Sequence, residues 1–161
     1  MAREPSVRAV APPERLWHRS TWLLSQVSAR SYRLVLDHLG TANARTDYAV
    51  LAGLDEFGPI SQAALGRRLG LDRSDIVALL NDLERGGLVA RTPDDSDRRR
   101  NSVTITAGGK RALRRLDKRV DAAQQVLLAP LNVSERRQLN ALLQRLLEHH
   151  TAFRTPEQRS P

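Results

Sequence analysis

Apolar residues in this chain repeat with two different periods, and the points where the period changes divide it into elements. Between residues 14 and 39, Leu16, Leu23, Leu24, Val27, Leu34 and Val35 mark one side of a long helix that Gly40 ends. A loop over 40–45 leads to a helix over 46–57. Thr46 can cap it, Tyr48, Val50, Leu51, Leu54 and Phe57 are its apolar positions, and Gly58-Pro59 breaks it. Ser61 is placed to cap a short helix over 61–69, and Gly70-Leu71-Asp72 turns the chain into a second over 73–85. There Ile76, Leu79, Leu80 and Leu83 share a face, Asp72 is a candidate N-cap and Gly86-Gly87 a stop.

The period then shortens. Two brief runs of alternating apolar and polar residues, 88–92 and 102–106, flank a charged loop over 93–101 and predict a β-hairpin. Residues 106–109 turn the chain into a helix over about 110–128, with Leu113, Leu116, Val120, Ala123 and Leu127 stepping by three and four. Pro130 stops it. A last helix starts at Ser134, a candidate N-cap followed by Glu135, and carries Leu139, Leu142, Leu143, Leu146 and Leu147.

The expected fold class is mainly α with a small β-hairpin wing: a winged helix-turn-helix over 46–107 with N- and C-terminal dimerisation helices. Residues 1–13 and 153–161, with their prolines and scattered charge, read as flexible ends. The narrow apolar stripes of the outer helices, 14–39 and 108–152, have little left to bury against within one chain. Pairing with a second copy explains them, so a homodimer is expected.

Composition narrows the function. At 161 residues and 40% hydrophobic content, a single domain with an adequate core is expected. The formal charge of +8 favours a polyanionic partner. Almost all of the positive charge is arginine, with Lys110 and Lys118 the two lysines, and GC-rich coding can produce the same bias. The absence of cysteine removes disulfides, thiolate metal sites and thiol catalysis. No apolar run approaches the roughly 18 residues of a membrane span, and the N-terminus lacks the core of a signal peptide. A cytoplasmic protein is expected. His18 and His38 have no second ligand at helical spacing, so neither a metal nor another cofactor is expected. No phosphate loop, nucleophile triad or apolar carboxylate pair points to an enzyme.

A helix-turn-helix followed by a wing is a device for reading a DNA groove and gripping its backbone. Opposite its apolar face, the 73–85 helix turns Ser74, Ala78, Asn81 and Arg85 outward, with Asp75, Val77 and Asp82 on the flanks. Arg73, Ser74 and Asn81 are the candidate base readers, since Arg suits guanine and Asn adenine. Asp75 could accept from a cytosine amine, pair with an Arg, or bear on ligand binding. Three consecutive arginines, Arg98, Arg99 and Arg100, at a hairpin tip suit phosphates and a narrow minor groove, with Asp97 positioned to pair with one of them. Arg67 and Arg68 are further phosphate candidates.

These residues resemble the winged-helix core of the MarR (multiple antibiotic resistance regulator) family of bacterial transcription regulators. The match runs from Ile60-Ser61-Gln62-Ala63-Ala64-Leu65 through Leu83-Glu84-Arg85-Gly86-Gly87-Leu88-Val89. It ends on Asp97-Arg98-Arg99 and Val103-Thr104-Ile105-Thr106, its most specific part. The resemblance extends over roughly residues 14 to 150. It implies an intertwined homodimer on a pseudo-palindromic site, with Arg99 entering the minor groove. It also implies release by a small, often aromatic, effector bound between the dimer helices and the winged helix. Trp17, Trp22 and Tyr32, with Arg30 or Arg33 nearby, are the candidate effector contacts, against an ordinary core role for the tryptophans. The alternative function is a nucleoid-type protein that coats DNA with little sequence preference.

Overall fold

A single apolar core holds the winged helix. Val50, Leu51 and Leu54 from one helix, Leu65 from the next, Ile76, Leu80 and Leu83 from a third, Val89 and Val103 from two strands, and Ala112 and Leu113 from a long helix form one buried cluster. Each fully buried aliphatic side chain stabilises the fold by about 1.5–3 kcal/mol relative to exposure. The computed structural model describes residues 12–41, 43–93 and 101–152. Its elements are α1 (Glu14–Trp17), α2 (Ser20–Leu39), α3 (Ala44–Phe57), β1 (Ile60–Ser61), α4 (Gln62–Leu69), α5 (Arg73–Arg85), β2 (Val89–Pro93), β3 (Asn101–Ile105), α6 (Ala107–Leu127) and α7 (Val133–Ala152). The strands form an antiparallel sheet of order β1-β3-β2, with Arg91 opposite Val103 and Ile60 opposite Val103 on the other side.

The expected elements are present, with local differences that have physical reasons. The first long helix is broken: α1 closes at His18, and Arg19 is extended with φ −104° and ψ 110°. On a straight helix Trp17 and Trp22 would point about 140° apart, at roughly 100° per residue. Across the bend their rings meet at 6.3 Å between centroids. Helix α3 starts at Ala44, so Thr46 lies inside its first turn and does not cap it. Ile60 and Ser61, expected only as a helix start, also form the third strand, while the Ser61 hydroxyl accepts from the Ala64 N–H at 3.3 Å. Asp72 stands at the N-cap of α5 but contributes its backbone carbonyl, 3.0 Å from the Ile76 N–H, and no side-chain cap.

Helix α5 ends as its two glycines suggest. The Leu88 N–H donates to the Leu83 carbonyl and the Gly87 N–H to that of Glu84, both at 2.9 Å, with Gly87 in the left-handed region at φ 67°. This is the paired closure that glycine makes cheap.

The segment 106–109 is not a turn before α6 but its first turn. The Thr106 hydroxyl accepts from the Gly109 N–H at 3.0 Å and donates to the Gly87 carbonyl at 2.7 Å. A Cβ on Gly109 would lie 2.1 Å from the Leu88 carbonyl oxygen, so only glycine lets α6 begin against the end of α5. Asn132, not Ser134, caps α7. Its side-chain oxygen accepts from the Glu135 N–H at 3.0 Å, while Glu135 accepts from the Asn132 N–H at 2.8 Å, a reciprocal capping box.

The apolar stripe of α6 is partly covered within the chain. It packs against α2 and α3, with Leu113 and Ala123 buried. The Arg119 guanidinium, 3.2 Å from the Leu39 carbonyl, ties α6 to the end of α2. On α7 the expectation of an uncovered stripe fits the structure: Leu142, Leu143, Leu146 and Leu147 are all exposed. Among the described residues no helix is long and apolar enough to cross a membrane.

Candidate nucleic-acid interface

Helix α5 is anchored by Ile76, Leu80 and Leu83 and approached closely by α4. A Cβ on Gly66 would sit 3.3 Å from Ile76 Cγ2, so the small residue sets how near the two helices lie. That anchoring leaves Arg73, Ser74, Asp75, Val77, Ala78, Asn81 and Arg85 on the exposed side, where the periodicity puts them. Val77 is 37% exposed, an apolar side chain on an otherwise polar face.

Not all the charged candidates are free to move. Arg85 pairs with Asp82 one turn back on the same helix. Arg68 lies over the Phe57 ring at 4.2 Å from its centroid, so its guanidinium is held at the end of α3. Arg67 is exposed on α4. Asp97, Arg98, Arg99 and Arg100 lie outside the described residues; the strands that carry them run up to Pro93 and resume at Asn101.

One group is missing from the residues that spacing suggested. Arg91 follows Val89 by two on β2, and the pleat sends both side chains toward the same, inward face. Val89 is 2% exposed and the Arg91 side chain 16%. The guanidinium is met by two partners from other elements. Its Nη1 pairs with Glu84 Oε2, and its Nε donates to Gln62 Oε1 at 3.0 Å. The other Glu84 oxygen accepts from the Arg91 backbone N–H at 3.2 Å. An arginine in register with a core valine was the available sequence signal; its partners, seven and 29 residues away, were not.

Asp47 of α3 feels the charge of Asp82 of α5. Burial first, and then the Asp82 charge, raise the Asp47 carboxyl above its ordinary value. Burial also raises the Tyr48 hydroxyl, with a hydrogen bond to Asp117 and the charges of Asp117 and Asp121 on α6 adding to the effect.

The proposed effector contacts do not converge within the chain. Trp17 and Trp22 pair at one end of α2, whereas Tyr32 lies ten residues on, about 15 Å along a helix. Arg30 turns back onto Gln26, 3.1 Å from its carbonyl and 3.2 Å from its side-chain oxygen. Tyr32 instead has Arg45 over its ring at 5.6 Å. A cavity of about 230 Å³ lies between α2 and α6, lined mainly by Leu34, Val35, Val120, Ala123 and Leu127.

Residues 44–100 match the family model described as "MarR family". A transcriptional regulatory protein proposed for the hcr operon of Thauera aromatica is 37% identical over 99 residues, 62% of this chain and 60% of the relative. The match thus spans under two thirds of that relative's length. The PcaV transcriptional regulator of Streptomyces coelicolor, solved with its natural ligand, is 31% identical. The alignment covers 86% of this chain and 98% of that one, at a TM-score of 0.73. The transcriptional repressor CouR bound to a 23-mer DNA duplex is 26% identical, covers 86% and 99%, and reaches a TM-score of 0.76.

Proposed function

Because the chain belongs to the MarR family of winged-helix transcription regulators, we propose that it binds a pseudo-palindromic operator as a homodimer and represses transcription until a small effector releases it. The observation that carries this reading is the outer face of α5. A helix clamped through three buried side chains presents Arg73, Ser74, Val77, Ala78 and Asn81 outward, beside strands that lead into Asp97, Arg98, Arg99 and Arg100.

In this arrangement α5 enters the major groove. Asn81 and Arg73 read base edges, each good bidentate pair discriminating by about 1–3 kcal/mol. The exposed methyl groups of Val77 and Ala78 suit a thymine methyl. Arg99 reaches the minor groove, and Arg98, Arg100 and Arg67 neutralise phosphates. Arg85 is poised for phosphate only by leaving Asp82, and Arg68 only by leaving Phe57. Two subunits place their α5 helices about 34–36 Å apart, one turn of DNA. The exposed leucines of α7 form part of the surface that joins them.

CouR, seen on DNA, and PcaV, seen with a ligand, support DNA and a small molecule as the two partners. Trp17, Trp22, Tyr32 and Arg30 can contribute to one effector site only if a second chain brings them together.

Selection of genomic fragments by the purified protein, followed by affinity at two salt concentrations, tests the reading. A recovered pseudo-palindrome with half-sites one turn apart is expected. Arg99→Ala should then weaken binding at least tenfold with dimerisation and folding intact. Unselected DNA with a steep salt slope would replace operator recognition by sequence-independent coating.

A further inference from the structure

The tie among Glu84, Arg91 and Gln62 belongs neither to the outward face of α5 nor to the apolar core, and its placement is informative. Glu84 is the penultimate residue of α5, Arg91 the middle residue of β2, and Gln62 the first residue of α4. Strand β2 is an edge of the sheet, so its outward backbone N–H groups have no neighbouring strand. Glu84 occupies one of them, accepting from the Arg91 N–H at 3.2 Å while its second oxygen holds the guanidinium of the same residue. The Arg91 Nε donates to Gln62 at 3.0 Å on the remaining side. The guanidinium's planar fork thus bridges two helices, a geometry that the point charge of lysine cannot reproduce.

From these contacts we infer that Arg91, held by Glu84 and Gln62, is a positioning residue that fixes the angle between the wing and α5. The inference rests on the DNA-binding reading above. Val89 and Val103 seat the base of the hairpin in the core with Leu83, but without a further tie the part of β2 beyond Val89 would be free to bend away from α5. The clamp on the middle of β2 removes this freedom. The wing arginines and the base-reading face then meet DNA in one relative orientation, without any of the three residues touching it. Surface ion pairs usually contribute little because solvent screens them and both side chains must be ordered. This one differs in being largely shielded at Arg91 and in joining a side chain and a backbone donor to one carboxylate.

The test compares the full-length parent, Arg91→Met, Glu84→Gln and the exchange Glu84→Arg with Arg91→Glu. Each is measured on the operator recovered by selection, at a temperature where circular dichroism shows it folded. Arg91→Met keeps the apolar stem and is expected to bind at least tenfold more weakly. Its plot of log affinity against log salt should be shallower, since a displaced wing forms fewer phosphate contacts, each worth a slope of about 0.9. Glu84→Gln retains an acceptor for the Arg91 N–H and should lose less. The exchanged pair should regain part of the lost affinity and slope.

A merely structural tie would lower Tm and leave the affinity and salt slope of the folded variant at parental values, and that result would overturn the inference. Should Arg91→Met fail to fold, Glu84→Gln decides alone: parental affinity and slope overturn it, reduced values support it. Failure of the parent itself to bind any DNA would instead remove the DNA-binding reading, and this inference with it.

Discussion

Asp47 shows how a single side chain can be placed against its own interest. Burial and the neighbouring Asp82 raise its carboxyl pKa above the ordinary 3.8. The folded chain therefore holds that proton more tightly than the unfolded chain, and between 3.8 and the raised value stability falls as pH rises. Ionising Asp47 in the folded chain places its charge where burial and Asp82 disfavour it. Asp47→Asn is expected to raise Tm at pH 7, with the gain shrinking as pH falls through the raised value and vanishing below 3.8, where both states are protonated. Thermal melts across that range check it; an unchanged or lower Tm at pH 7 would show that Asp47's place in the first turn of α3, where the helix dipole favours a negative charge, outweighs the repulsion. Arg91 is a second residue whose role depends on packing. Its register beside Val89 was visible, but Glu84 and Gln62 become its neighbours only when α4, α5 and β2 pack.

At the scale of elements, periodicity located every helix of four or more turns, since the apolar face of each had to be written into the chain. Boundaries were less legible. Thr46 and Ser134 are as good caps in composition as Asn132, but the reciprocal bonds between Asn132 and Glu135 start α7 one position before Ser134. Asn132→Ala should cost about 0.5–2 kcal/mol of stability, the usual value of an N-cap. Ser134→Ala should be close to neutral. Chemical denaturation of both variants separates the two assignments, and equal losses would remove Asn132 as the cap. The two-residue strand β1 was illegible for a different reason. So short a segment carries no period, and it is a strand only because β3 lies beside it.

For the whole molecule, the two C-terminal helices differ in what they bury. The α6 stripe is buried at Leu113 and Ala123 and half-buried at Leu116, Val120 and Leu127 against α2 and α3, whereas α7 leaves Leu142 at 47%, Leu143 at 39%, Leu146 at 48% and Leu147 at 66% exposed. A second copy of the chain is the proposed cover. Leu143→Glu combined with Leu146→Glu should shift the protein from dimer to monomer in sedimentation and weaken operator binding. Circular dichroism at high protein concentration should still show the folded winged helix, because none of its core residues lies on α7. A dimer that persists in the double variant would place the subunit contact elsewhere.

By itself the sequence determined which residues face inward on each helix, where glycine stops α4 and α5, and that two short strands joined by a charged segment follow the second helix of the pair. Those properties are local: they depend on spacing along a helix or strand and on backbone freedom at single positions. Tertiary structure decided which stripes meet within the chain, which arginines are held by Phe57 or Glu84, and that α6 begins at Ala107 against Leu88. The arginine contacts join residues between seven and 29 positions apart, and the stripes of α2 and α6 lie farther apart still, through geometry that spacing does not encode. Ion pairing and close backbone approach depend on distances of a few ångströms, and only packing sets them.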